Sequence, residues 1–310
     1  MIIIDNPILI LESEDLNSKL YRRVVGPQPQ AQINNGTGWQ SVSLIQALSS
    51  LQKPLVKVKL DKSYDLSQLD SLVIKRHSGL GDAVFCASVL WQAKILYPHL
   101  RVYLDTVYEW QKWLFWQESP SGITAHFDAD IINPPIDINL PRTQLIGNIF
   151  GLYPQEHSFP MTLPHSIQMV ECDYNVLIPQ AKNDGKRRLL DNDIQKLIKS
   201  GCWIILGEVD NLPEQEYNFS GIQTWETITN LLLYADKIFS VDTGLGYFAG
   251  ILGKSVIFWF TNIKPENRLL PDDNWAIPLH AKKCWGCEKT CSENTCQKID
   301  CWAKIRKKLM

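Results

Sequence analysis

The period of the apolar positions changes near residue 70. Before that point, short apolar runs in "MIIIDNPILIL" and "PLVKVKLD" read as strands around the polar stretch "VVGPQPQAQINNGTGWQS". The Gly, Asn and Gln content of that stretch predicts a loop, so residues 1–70 read as an N-terminal extension or small cap. From residue 71, strand-like runs alternate with segments of helical spacing. "SLVIKR" is a strand and "DAVFCASVLWQAKILY" an amphipathic helix, with Val84, Phe85, Val89, Leu90 and Leu96 forming a buried stripe. "RVYLDT" and "ITAHFDADII" are further strands, and "TQLIGNIFGLYP" is a short helix stopped by Gly151 and Pro154. Trp110, Trp113 and Trp116, three residues apart, read as core or as a domain-facing surface rather than a platform for stacked bases.

"HSFPMTLPHS" reads as a linker. Beyond it, "YNVLIP", "CWIILGE", "KIFSVD" and "SVIFWF" are strands, and "DNDIQKLIKSG", "WETITNLLLYA" and "GLGYFAGILGK" are helices. Such alternation predicts parallel sheets with crossover helices. The α/β pattern on both sides of a proline-bearing linker predicts two Rossmann-like domains, residues 71–165 and 166–310.

Composition narrows the function classes. The chain has 310 residues, 45% hydrophobic and 21% charged, which suits a soluble globular protein with a sizeable core. A net charge of −2 provides no global attraction to nucleic acid, and the basic tail at Lys304, Arg306, Lys307 and Lys308 reads as a solvated helix end. No run is long and apolar enough to span a bilayer, and the N-terminus lacks the basic start of a signal peptide. The expected location is the cytoplasm, with at most peripheral membrane association.

Three turns carry candidate chemistry. In Ser78-Gly79-Leu80-Gly81-Asp82, Gly79 and Gly81 after a strand let the backbone approach a ligand, while Asp82 could be a helix N-cap. The spacing is not G-x-G-x-x-G, so a dinucleotide cofactor is not favoured. Val241-Asp242-Thr243-Gly244-Leu245 opens a helix at the carboxyl end of a strand, where open α/β sheets bind ligands and helix-start N–H groups hold phosphate. A simple helix cap at Asp242 or Thr243 is the plain alternative. "IPQAKNDGKRRLL", with Lys182, Lys186, Arg187 and Arg188, reads as a basic loop on the same sheet edge.

Cys284-Trp285-Gly286-Cys287 is followed by Cys291, Cys296 and Cys301. Five cysteines within eighteen residues, opening with C-x-x-C, point to a metal, with a disulfide as the alternative. Cys86, Cys172 and Cys202 stand alone and read as packing residues.

Taken in order, these segments resemble glycosyltransferase family 9, the ADP-heptose:lipopolysaccharide heptosyltransferases and their relatives. "LVIKRHSGLGDAVFCASVLWQAKILYP" is similar to that family's opening strand, glycine loop, Asp and helix. "IPQAKNDGKRRLLDNDIQKLI", "TWETITNLLLYADKIFSVDTGLGYFAGILGKSVIFWF" and "CWGCEKTC…CWAKI" resemble its later segments. The resemblance covers residues 71–310. It implies a GT-B fold: two facing Rossmann-like domains, here with a shortened first (acceptor) domain, a donor domain, and a Cys-rich tail over 284–301.

The activity it implies is an inverting glycosyltransferase that moves a heptose-like sugar from a nucleotide-diphosphate donor such as ADP-heptose. The acceptor would be a hydroxyl on a glycan, a lipid-linked glycan such as lipopolysaccharide, or a protein. By the resemblance Asp82 is the catalytic base. Asp242, Thr243, Gly244 and Leu245 form the turn at the donor sugar and diphosphate, with Gly79 and Gly81 in the facing glycine turn. Lys186 binds phosphate, and Glu208 or Asp210 in "ILGEVDN" holds the ribose. Zinc or iron is expected on Cys284, Cys287, Cys291 and Cys301, with Cys296 competing for the place of Cys291. No catalytic divalent metal is expected. Tyr247 stands where many members have His. The alternatives are a catalytically silent GT-B protein that binds a sugar or nucleotide or acts as a scaffold, and an epimerase or hydrolase on the same fold.

Overall fold

The computed structural model describes residues 9–14, 20–25, 30–34, 39–42, 55–60, 65–132, 141–181, 184–189, 191–207, 218–260 and 263–280. Side chains are described from residue 65 onward, apart from 131–132, 184–186, 192 and 280. The chain divides into two compact units. One comprises Met1–His77, Val89–Thr106 and Trp116–Pro154. The other comprises Ser78–Ser88, Val107–Phe115 and Gln155–Met310.

The first unit contains two sheets. Strands β1 (Leu9–Glu14), β2 (Leu20–Val25), β3 (Gln30–Asn34), β4 (Trp39–Val42) and β5 (Leu55–Leu60) form an antiparallel sheet of order β4-β3-β2-β1-β5. The polar stretch expected to be a loop therefore carries strands. The physical reason is that a ladder needs alternation and a turn, not high hydrophobicity. In β3, Ala31 and Ile33 alternate with Gln30, Gln32 and Asn34, and Asn35-Gly36 follows, a dipeptide suited to hairpins. Asn34 and Trp39 are register partners of β3 and β4.

The second sheet of this unit is parallel throughout, with order β7-β6-β8: β6 (Ser71–Lys75) lies between β7 (Arg101–Asp105) and β8 (Thr124–Asp128). Ser71, Leu72, Val73 and Ile74 of the central strand are all buried, as expected for a parallel strand covered on both faces. Helix α2 (Arg142–Ile149) ends as expected, at Gly151, which takes a positive φ of 66°.

Helix α1 (Leu80–Leu96) belongs to both units, its N-terminal half to the second. Val84, Phe85, Val89 and Leu90 are buried as predicted, but Leu96 is 56% exposed. Ile95 beside it is also exposed, so the apolar stripe outruns the surface that covers it. Trp110, Trp113 and Trp116 are buried. The first two lie in a 3₁₀ turn over Glu109–Trp113, whose three residues per turn put them on one face.

The second unit is built on a six-stranded, wholly parallel sheet. Its strands are β9 (Asn175–Ile178), β12 (Trp203–Gly207), β13 (Asn218–Ser220), β14 (Ile238–Val241), β15 (Val256–Phe260) and β16 (Ala276–His280). The order β13-β12-β9-β14-β15-β16 grows outward from β9, first to one side and then to the other. This is the Rossmann order, and its reversal between β9 and β14 opens a crevice at their carboxyl ends. Helices α3 (Asp191–Lys199), α4 (Trp225–Leu233) and α5 (Gly244–Ile251) follow strands of this unit. Thr224 caps α4, its side chain accepting from the Thr227 N–H at 3.2 Å.

Three further expectations are corrected in this unit. The basic segment after β9 is not a plain loop: β10 (Gln180–Ala181) and β11 (Asp184–Arg188) pair antiparallel. Ala181 and Leu189 anchor the hairpin in the core with Leu177, Ile194, Phe239 and Trp259. The predicted linker has no helix or strand, yet it is not a solvated tether, because His157 and Phe159 are buried. Phe159 stacks on Trp110 with ring centroids 5.8 Å apart. The two isolated cysteines near the amino ends of β9 and β12 are not core packing residues either: Cys172 is exposed and Cys202 partly so, whereas Cys86 is buried. Among the described residues, no helix is long and apolar enough to cross a membrane.

Candidate functional site

Asp242, Arg187 and Arg268 come together at the crevice end of β14. Asp242 follows the last residue of that strand and is 2% exposed. A carboxylate so deeply removed from water must be matched by positive charge and hydrogen bonds. Tyr247, one turn into α5, donates its hydroxyl to Asp242 Oδ1 at 2.6 Å. Arg187, at the end of the hairpin, donates Nη1–H to the Asp242 carbonyl at 3.0 Å and lies 3.5 Å from Oδ2. Arg268 Nε stands 3.5 Å from the same Oδ2. Oδ2 thus has two cationic neighbours yet accepts no hydrogen bond from the described residues.

The electrostatics follow from that burial. Burial first, and then the Asp242 charge, push the Tyr247 hydroxyl well above its ordinary pKa, so it remains a donor. For Arg268, burial would lower the pKa, but Asp242, Asp82 and Tyr247 outweigh it and raise it, so the cation persists. Arg268 feels both Asp82 and Asp242. It directly follows the short 3₁₀ turn Pro265–Asn267, after β15, and no sequence motif marked it.

The glycine turn is built into the same unit. A Cβ at Gly244 would lie 2.5 Å from the Gly81 nitrogen and 2.5 Å from Leu80 Cβ; one at Gly81 would lie 3.3 Å from Tyr247 Cδ2. The glycines expected to bring backbone near a ligand also bring the two turns against each other. Gly79 takes φ 75°, which favours glycine. Asp82 is 9% exposed and lies within the first turn of α1, not at its N-cap. Thr243 is the N-cap of α5 but makes no side-chain cap bond, and the Asp242 carboxylate is engaged by Tyr247 and the arginines. Asp82 and Asp242 are thus not the N-cap residues of their helices, whereas Thr243 holds that position in α5. Leu245 follows Gly244 in the first turn of α5, where a Cβ on Gly207, at the end of β12, would approach its side chain to 3.6 Å.

Behind Tyr247 lies a second buried pair. His157 Nδ1 and Asp273 Oδ2 are 2.6 Å apart, and Asp273 also accepts the His157 and Leu270 N–H groups, each at 2.7 Å. Phe85 stacks on His157 at 4.5 Å and meets Tyr247 edge-on at 4.9 Å. This pair locks the former linker and the 270–273 segment behind the site.

Lys186 lies in β11, and its side chain is outside the described residues, as are Glu208, Asp210, Cys284, Cys287, Cys291, Cys296 and Cys301. Among the described residues, no group of three His, Cys, Asp or Glu side chains could hold a metal ion.

No family model and no curated protein sequence matches the chain. Solved structures do. The iron-containing dodecameric glycosyltransferase TibC from enterotoxigenic E. coli matches with a TM-score of 0.59 at 14% identity, over 97% of this chain and 92% of that one. The same heptosyltransferase in complex with ADP-D-β-D-heptose matches with a TM-score of 0.55 at 13% identity, over 99% and 93%. The E. coli ADP-heptose lipopolysaccharide heptosyltransferase II matches with a TM-score of 0.50 at 11% identity, over 77% of this chain and all of that one. The resemblance to glycosyltransferase family 9 read from the sequence is met at the level of fold: mixed α/β, with parallel Rossmann-like sheets.

Proposed function

We propose that the protein is an inverting glycosyltransferase that moves a heptose-like sugar from a nucleotide-diphosphate donor, ADP-heptose by analogy, to an acceptor hydroxyl. The observation that carries this reading is the close approach of the two turns, where a Cβ on Gly244 would lie 2.5 Å from the Gly81 nitrogen, beside the buried Asp242 and its two arginine neighbours. The TibC complex with ADP-D-β-D-heptose lends the donor class.

In this reading Asp82 takes the proton of the acceptor hydroxyl as its oxygen attacks the anomeric carbon, and the bond from that carbon to the diphosphate oxygen breaks. The N–H groups at the start of α5, after Thr243, and the Lys186 ammonium stabilise the departing diphosphate. No divalent metal is then needed for that charge. Asp242, held by Tyr247 and the two arginines, would fix the turn at the donor sugar. Glu208 or Asp210 would hold the ribose. Residues 71–165 form the acceptor domain and 166–310 the donor domain. The acceptor is a glycan, a lipid-linked glycan or a protein. The cysteines of the tail would bind zinc or iron, to which thiolate donors are suited, in a structural role.

The test is ADP release coupled to a mass gain on the acceptor, with the Asp82→Asn variant beside the parent. Transfer should fall roughly 10²–10⁴-fold while ADP binding persists. Equal turnover in both proteins would remove Asp82 from the reaction. The second reading is a silent GT-B protein that only binds sugar or nucleotide, and the near-complete burial of Asp82 favours it. Under that reading ADP binds, but neither protein turns over any acceptor.

A further inference from the structure

We propose that Cys172 and Cys202 form a reversible thiol–disulfide site at the end of the sheet opposite the candidate active site. Their sulfur atoms are 3.2 Å apart. A disulfide bond is about 2.05 Å long, so closure requires a movement of roughly 1 Å, within reach of small side-chain adjustments. The backbone already holds the two residues together. Asn175 and Trp203 are register partners at the starts of β9 and β12, and the Asn175 N–H donates to the Cys202 carbonyl at 2.9 Å. Each cysteine therefore sits just before the amino end of one of two adjacent parallel strands. Cys172 is exposed and Cys202 partly exposed, so a small oxidant can reach the pair. The buried Cys86 lacks that access.

The oxidant class is a low-molecular-weight disulfide such as glutathione disulfide. The Cys172 thiolate attacks one of its sulfurs and expels one glutathione thiolate. The Cys202 thiolate then attacks the Cys172 sulfur of the mixed disulfide and expels the second. Two protein thiols are oxidised, one glutathione disulfide is reduced to two thiols, and the two protons pass to the departing glutathiones.

The bond would close a ring containing β9, the β10–β11 hairpin with Arg187, and α3. A ring of that size removes freedom chiefly from the unfolded chain. Oxidation thus stabilises the segment that carries Arg187. The ligand crevice lies at the carboxyl ends of the strands, so it stays open.

The experiment equilibrates the full chain with glutathione disulfide, blocks residual thiols, and maps peptides by mass spectrometry without reduction, which separates this pair from the tail cysteines. The expected result is a peptide linking Cys172 to Cys202, lost on treatment with dithiothreitol, and a melting temperature raised by roughly 5 °C. In Cys172→Ser both the linked peptide and the rise should vanish. Recovery of the two cysteines as separate glutathione adducts or as blocked thiols would overturn the proposal. A melting rise that persists in Cys172→Ser would overturn the stabilising role.

Discussion

Replacing Arg268 with methionine tests the electrostatic centre of the site. The change keeps a long side chain and deletes one charge. The Asp242 carboxylate is 2% exposed and the Arg268 side chain 14% exposed, so neither charge is well hydrated. Removing one partner of a buried pair costs about 3–5 kcal/mol, because the other charge remains buried. Arg187 still stands 3.5 Å from Asp242 Oδ2, which places the expected loss near the lower end, about 3 kcal/mol. In denaturant unfolding this appears as a lower midpoint with an unchanged slope. A cycle with Asp242→Asn isolates the pair: the double variant should be more stable than the sum of the single losses by about 1–3 kcal/mol. Arg268→Lys retains charge without the planar guanidinium and should recover only part of the loss. If Arg268→Met costs under about 1 kcal/mol, or if its effect simply adds to that of Asp242→Asn, the two charges are not coupled and this account of the site fails.

Gly244→Ala would place its methyl group 2.5 Å from the Gly81 nitrogen, so backbone must shift; a loss of about 1–3 kcal/mol is expected, larger than for Gly81→Ala, whose nearest contact is 3.3 Å, and equal losses in thermal unfolding would refute the close approach of the two turns. Tyr174, whose hydroxyl donates to the Leu231 carbonyl, has its pKa pushed up to about 12 from 10.0, chiefly by burial. The folded state therefore keeps this proton while the unfolded chain loses it, so stability falls as pH rises from about 10 to 12; Tyr174→Phe should flatten that alkaline limb, and an unchanged limb would assign it to other groups. For the tail, metal analysis of protein purified without added metal should find one zinc or iron per chain, and Cys284→Ser should lower its content and the stability together; metal-free folded protein with all five tail thiols titratable would exclude the site.

The sequence by itself determined the local grammar of the chain. The alternation of strands and helices from residue 71, the tryptophans facing inward, and the glycine turns at Gly79–Gly81 and Asp242–Gly244 are legible because each depends on a few neighbouring residues: a period, a turn, a cap. The family resemblance extended that reading to the fold. Several local signals were present but outweighed by composition. The alternation in Gln30–Asn34 was masked by polar residues, and the strand Asp184–Arg188 by its basic residues. Other features became visible only in the tertiary structure. Burial of a charge is a property of everything packed around it, so Arg268 reads as an ordinary surface residue until its chain segment is laid beside Asp242. The exposure of Leu96, the buried pairing of Asp273 with His157 of an apparent linker, and the sulfur contact of Cys172 with Cys202 have the same origin. Each joins or separates residues distant in the chain, where periodicity holds no information and only the packing of the sheets decides.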